Sequence, residues 1–99
     1  MNEQVNRRNR ERKQLDQRLT LERWDPNRAP AMNVHLEVQG VDISSGGVGI
    51  SAPHAFRVGE VVKIEYVLNG GEVTLPLFSE IVWSVGGHGM CRTGLRFLI

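Results

Sequence analysis

Much of what marks an enzyme, a secreted protein or a membrane protein is missing from this chain. Of its 99 residues one is a cysteine, Cys91, which excludes an internal disulfide and a multi-cysteine zinc site. No apolar run approaches the roughly 20 residues of a membrane-spanning helix. The polar N-terminus has no hydrophobic signal core, so a cytoplasmic protein without membrane insertion is the expectation. Aromatic residues number six, too few for the row of exposed rings on which single-stranded nucleic acid stacks. His35, His54 and His88 are far apart and lack the cysteine or carboxylate spacing that gathers a metal. No Ser-His-Asp set, paired carboxylates or Walker-type glycine loop is present, so a non-enzymatic protein with no catalytic residues, cofactor or metal is expected.

What remains is an ordinary globular composition, 40% hydrophobic and 23% charged, in a length that suits one domain with one modest core. The net charge of +1 conceals an asymmetry. Residues 1–28 hold eight of the twelve Lys and Arg against five acids, about +3, and the remainder holds four against six, about −2. A compact anion meets positive potential at the N-terminal end. A nucleic acid polymer finds no basic stripe along the rest.

Residues 1–14 contain a single aliphatic side chain, Val5, and cannot form a core face; they read as a flexible arginine-rich arm. Period-two alternation begins at Leu15 and predicts a barrel domain over 15–99. Its first strand is expected near 15–24, followed by a proline-broken turn over Asp25–Pro30. Met32, Val34, Leu36 and Val38 then alternate with Asn33, His35, Glu37 and Gln39, which face outward. Gly40 ends this strand or bends it. Val48 and Ile50 begin a third strand. Val62, Ile64, Tyr66 and Leu68 form a fourth, and Asn69-Gly70-Gly71 supplies a hairpin turn. Val73 to Trp83 return, with Pro76 marking an edge or bulge. After Gly86-Gly87-His88-Gly89, Cys91, Thr93, Leu95, Phe97 and Ile99 share one face of the last strand. Trp83 and Cys91 are expected in the core, and Trp24 and Tyr66 in core or rim. Short strands with regular turn signals and no amphipathic helix predict an all-β fold. A sheet this small hides its apolar face best as a six- or seven-stranded antiparallel β-barrel.

Two motifs stand out against this frame. Arg8 and Arg12 spell R-x-x-x-R in the arm, and Asp42, Ser44 and Gly47 spell D-x-S-x-x-G after the second strand. Alone, the first reads as a solvated basic arm. The second reads as a β-turn in which Asp42 and Ser44 cap backbone N–H groups. Together and in this order they resemble the PilZ family, whose members bind the bacterial second messenger cyclic di-GMP. The resemblance extends to Phe56-Arg57-Val58-Gly59-Glu60, to Ile81-Val82-Trp83 and to Thr93-Gly94-Leu95-Arg96-Phe97. About thirty residues separate Arg12 from Asp42, a longer spacing than the family pattern, with Asp25–Pro30 as the insertion.

The resemblance implies a cyclic di-GMP receptor whose ligand-binding residues are Arg7, Arg8, Arg12, Asp42, Ser44 and Gly47. Arginine forks bridge phosphate oxygens and stack on guanine. Asp42 accepts two hydrogen bonds from the N–H edge of guanine, Ser44 bonds base or phosphate, and Gly47 permits a close backbone approach. Arg7, just before the pair, is the family's mark of two ligand molecules per chain rather than one. Gly46 and Gly49 serve the turn and close strand packing. In this reading the arm orders over the ligand and the new surface signals to a partner protein. The alternative is a PilZ-like protein–protein interaction module that ignores nucleotide.

Overall fold

The alternation resolves into six strands: β1 (Lys13–Asp25), β2 (Met32–Ile43), β3 (Gly47–Ala52), β4 (Val61–Leu68), β5 (Val73–Gly87) and β6 (Met90–Phe97). The computed structural model describes residues 11–25 and 32–99. Arg7, Arg8, most of the arm and residues 26–30 of the expected turn lie outside the described residues, as do the side chains of Trp24 and Met32. Neighbouring strands are all antiparallel, and the order β1-β2-β3-β6-β5-β4 closes into a barrel where β4 meets β1. Closure leaves the short sheet few free edges, which is why an all-strand chain of this size adopts it. Among the described residues no helix is long and apolar enough to cross a membrane.

The inward residues make one core. Leu19, Leu21, Val48, Ile50, Val62, Ile64, Ile81 and Leu95 are all but inaccessible, and Leu36, Ile43, Tyr66, Leu77 and Phe97 pack against them. Each fully buried aliphatic side chain contributes about 1.5–3 kcal/mol relative to exposure. Two buried hydroxyls are satisfied within the wall: Ser84 Oγ lies 3.0 Å from Thr93 Oγ1, and Ser79 Oγ donates to the Leu77 carbonyl. The Phe56–Glu60 turn is tied down by Arg23 of β1. Its guanidinium forms a two-point fork with the Glu60 carboxylate, both contacts at 2.9 Å, and stacks over Phe56.

Several expectations are met in detail. The Asn69–Gly71 turn joins β4 to β5 with positive φ at Gly70 and Gly71. Pro76 pairs with Glu65 of β4, while β5 gains β6 as its second neighbour only from Ser79. The proline therefore sits where the strand has a free edge and no ladder donor is required.

Others need correction. β1 begins at Lys13, so the strand takes in Lys13 and Gln14, which the sequence assigns to the arm. Trp83 is not in the core; it is 40% exposed on the outer face. The cause is a register shift between Ile81 and Trp83 opposite β6, which inserts Val82 and reverses the in–out phase of everything after Ile81. Cys91 is half-buried rather than fully enclosed. Ile99 lies beyond the end of β6 and is fully exposed, so it shares no face with Thr93 and Leu95.

Candidate ligand-binding site

A second register shift sets the direction of Asp42. Val38 and Gly40 of β2 face inward, and strict alternation would turn Asp42 inward too. Between Gly40 and Asp42 the β2–β3 pairing slips by one residue: Gly40 opposes Ile50, Asp42 opposes Gly49 and Ile43 opposes Val48. Val41 is the extra residue, and the phase flips. Ile43 thereby packs on the core and Asp42 emerges on the outer face. A glycine at position 40 leaves room for Leu15 of β1, which would collide with any side chain there.

Arg12, immediately before β1, ion-pairs with the Asp42 carboxylate. The pairing of Gln14 with Asp42 across β1 and β2 brings the arm's second motif arginine to this place. Residues thirty apart in sequence are thus in contact. Both remain accessible, with side chains 48% and 29% exposed.

Ser44 and Gly47 have local duties. The Ser44 amide donates to the Gly47 carbonyl at 2.9 Å, and the Gly46 amide donates to Ser44 Oγ at 3.2 Å, so the hydroxyl caps the turn. The Phe97 amide donates to the Gly46 carbonyl at 2.9 Å and ties the turn to the end of β6. Gly47 is pressed against β6: a Cβ there would overlap the Leu95 carbonyl oxygen. Its φ is not among the positive ones. The close approach it permits is therefore strand against strand, and Gly47 does not adopt a turn conformation closed to side chains.

The feature missed by sequence reasoning lies between Asp42 and Trp83. Across the outer face run Asp42 of β2, Gly49 of β3, Gly94 of β6 and Trp83 of β5, each paired with the next. With no side chain at Gly49, the Asp42 carboxylate lies over it; an added Cβ would stand 2.7 Å from Oδ1. With none at Gly94, the Trp83 indole lies over that position, and an added Cβ would overlap the ring. The carboxylate and the indole thus cover the paired positions Gly49 and Gly94, on strands whose backbones run about 4.8 Å apart. They put an acceptor and an aromatic ring on adjacent positions of the outer face, a platform of two side chains. Gly94 two strands away from the motif was the available signal, but only the pairing of β3 with β6 gives it meaning. Among the described residues no group of His, Cys, Asp and Glu is arranged to hold a metal ion.

Compared with known protein families, residues 6–99 match the PilZ domain. No curated protein matches the chain.

Proposed function

We propose that this chain, which belongs to the PilZ domain family, is a non-enzymatic receptor for cyclic di-GMP that orders its arm over the ligand and signals to a partner protein. PilZ domains are in general binding modules for that nucleotide, and the observation that carries the proposal here is the contact of Arg12 with Asp42. It joins the two motifs at one point on the outer wall.

The chemistry follows from the platform. A guanine stacked on the Trp83 indole presents its edge toward Asp42, where N1–H and the exocyclic amine supply two donors to one carboxylate. Adenine offers one donor and an acceptor on that edge and leaves the carboxylate half-satisfied. Arg12 exchanges its bond to Asp42 for a phosphate oxygen when the ligand arrives. Arg7 and Arg8 follow with forks to phosphate and stacking on guanine. Three guanidinium groups suit two stacked ligand molecules. Fixing the arm costs conformational entropy, offset by these charge-assisted bonds, and the ordered arm over the ligand is the surface a partner protein reads. Ser44 and Gly47 contribute by holding the turn in place.

The test is selectivity. The wild type should prefer cyclic di-GMP to cyclic di-AMP, and Asp42→Ala should reduce that preference about tenfold or more. Undiminished preference in the variant would remove Asp42 from base recognition.

A further inference from the structure

Two arginines bracket the platform along β6. Arg92 and Arg96 stand two residues either side of Gly94 on the outer face, because Thr93 and Leu95 between them are buried. Each is about 7 Å from Gly94 along the strand. Their neighbours differ. Arg96 faces Glu80 of β5 and forms an ion pair with it. Arg92 faces Val85 on one side and Ser51 of β3 on the other. Among the described residues no carboxylate lies within ion-pair distance of Arg92.

We propose that Arg92, with the Ser51 hydroxyl beside it, is a phosphate-contacting flank of the platform, a cationic subsite outside both sequence motifs. The proposal rests on the cyclic di-GMP reading and deepens it. In a cyclic dinucleotide each phosphodiester lies one ribose from its base. A guanine on Trp83 with its edge at Asp42 therefore carries a phosphate within the span of an arginine side chain rooted on β6. The side it takes is set by charge. Glu80 neutralises Arg96, so the potential that draws an anion comes from Arg92. A guanidinium fork with a neighbouring hydroxyl donor matches the oxygens of a phosphodiester. Unlike the arm's arginines, Arg92 is mounted on a paired strand, so its contact with phosphate requires no segment to order.

The experiment is calorimetric titration of cyclic di-GMP into the full chain at two salt concentrations, for wild type, Arg92→Ala, Arg92→Lys and Arg57→Ala. Arg57, exposed in the turn before β4, controls for loss of one positive charge. Arg92→Ala should weaken binding about tenfold or more and lessen the salt dependence. Arg92→Lys should recover part of the loss, and Arg57→Ala should change little. An Arg92→Ala affinity equal to that of the wild type, or a loss matched by Arg57→Ala, would overturn the subsite alone. A wild type that takes up no cyclic di-GMP would overturn the subsite and the receptor reading together.

Discussion

Asp42 rests its carboxylate on Gly49, its partner across the β2–β3 ladder, so closely that a Cβ on Gly49 would come within 2.7 Å of Oδ1. Gly49 lies outside the D-x-S-x-x-G motif, yet it decides where the motif's acid can lie. Gly94 stands in the same relation to Trp83. The proposed recognition surface is built from two side chains and two missing ones.

Gly49→Ala should separate binding from folding. The three atoms nearest the new Cβ all belong to the Asp42 side chain, which can swing away at small cost to the barrel. Cyclic di-GMP affinity is expected to fall about tenfold, with stability changed by about 1 kcal/mol or less. Titration and thermal melting of the same preparation check both halves. Wild-type affinity in this variant would mean that the position of Asp42 over Gly49 is irrelevant to the ligand.

Gly47→Ala should do the opposite. Its Cβ meets the Leu95 carbonyl, a backbone atom of β6 that no rotamer change can move aside. A loss of about 3 kcal/mol or more is expected, read as a large drop in melting temperature or a failure to fold. A stable Gly47→Ala barrel that merely lost ligand would restore a direct ligand role for this glycine.

Trp83 is exposed, so truncating it should spare the core. Trp83→Ala is expected to melt close to wild type and to lose about 1–3 kcal/mol of ligand binding, the range for a base stacked on an aromatic ring. In a Trp24→Phe background the remaining indole emission should change on titration with cyclic di-GMP. Constant emission at saturating ligand would place the base elsewhere.

The Arg12–Asp42 pair is surface-exposed and screened by solvent. Such pairs contribute at most about 1 kcal/mol to stability. Arg12→Ala should therefore leave the melting temperature nearly unchanged while binding is lost, and Arg8→Ala should do likewise. Undiminished binding by either variant contradicts the arm mechanism.

The Glu22–Lys63 contact gives a pH prediction unconnected with the ligand. Lys63 Nζ lies 2.8 Å from the carboxylate of Glu22, across the β1–β4 pairing. That hydrogen bond raises the ammonium pKa above its ordinary 10.5, outweighing the lowering by burial. A folded-state pKa above the unfolded one stabilises the barrel fully below the unfolded value, and the contribution disappears as pH climbs through the folded value. The melting-temperature gap between wild type and Lys63→Met should thus be constant from pH 7 to about 9.5 and close at strongly alkaline pH. A gap that persists above both pKa values would show that the charge on Lys63 is not its source.

Much of this architecture was legible in the residues because alternation with period two is a direct readout of a half-buried strand. Val62, Ile64 and Tyr66 declared β4, and Asn69-Gly70-Gly71 declared its hairpin. Arg12 and Asp42 were legible as members of two motifs expected at one ligand, and the ion pair between them was not. What alternation cannot show is a one-residue slip between strands. Val41 and Val82 look like ordinary strand residues, yet each reverses the phase after it. The first slip turns Asp42 outward. The second turns Trp83 outward, where unbroken alternation had placed it in the core. The platform was hidden for a further reason: Gly49 and Gly94 are forty-five residues apart in sequence and meet only because β3 pairs with β6.

The measurement that bears most directly on the receptor is a calorimetric titration of cyclic di-GMP into the wild-type chain, with cyclic di-AMP and GTP as controls. Selective, saturable binding with two ligands per chain is the predicted result, the ratio reporting on Arg7. No heat and no thermal stabilisation at high ligand concentration would contradict it, and would leave a PilZ barrel whose business is with another protein.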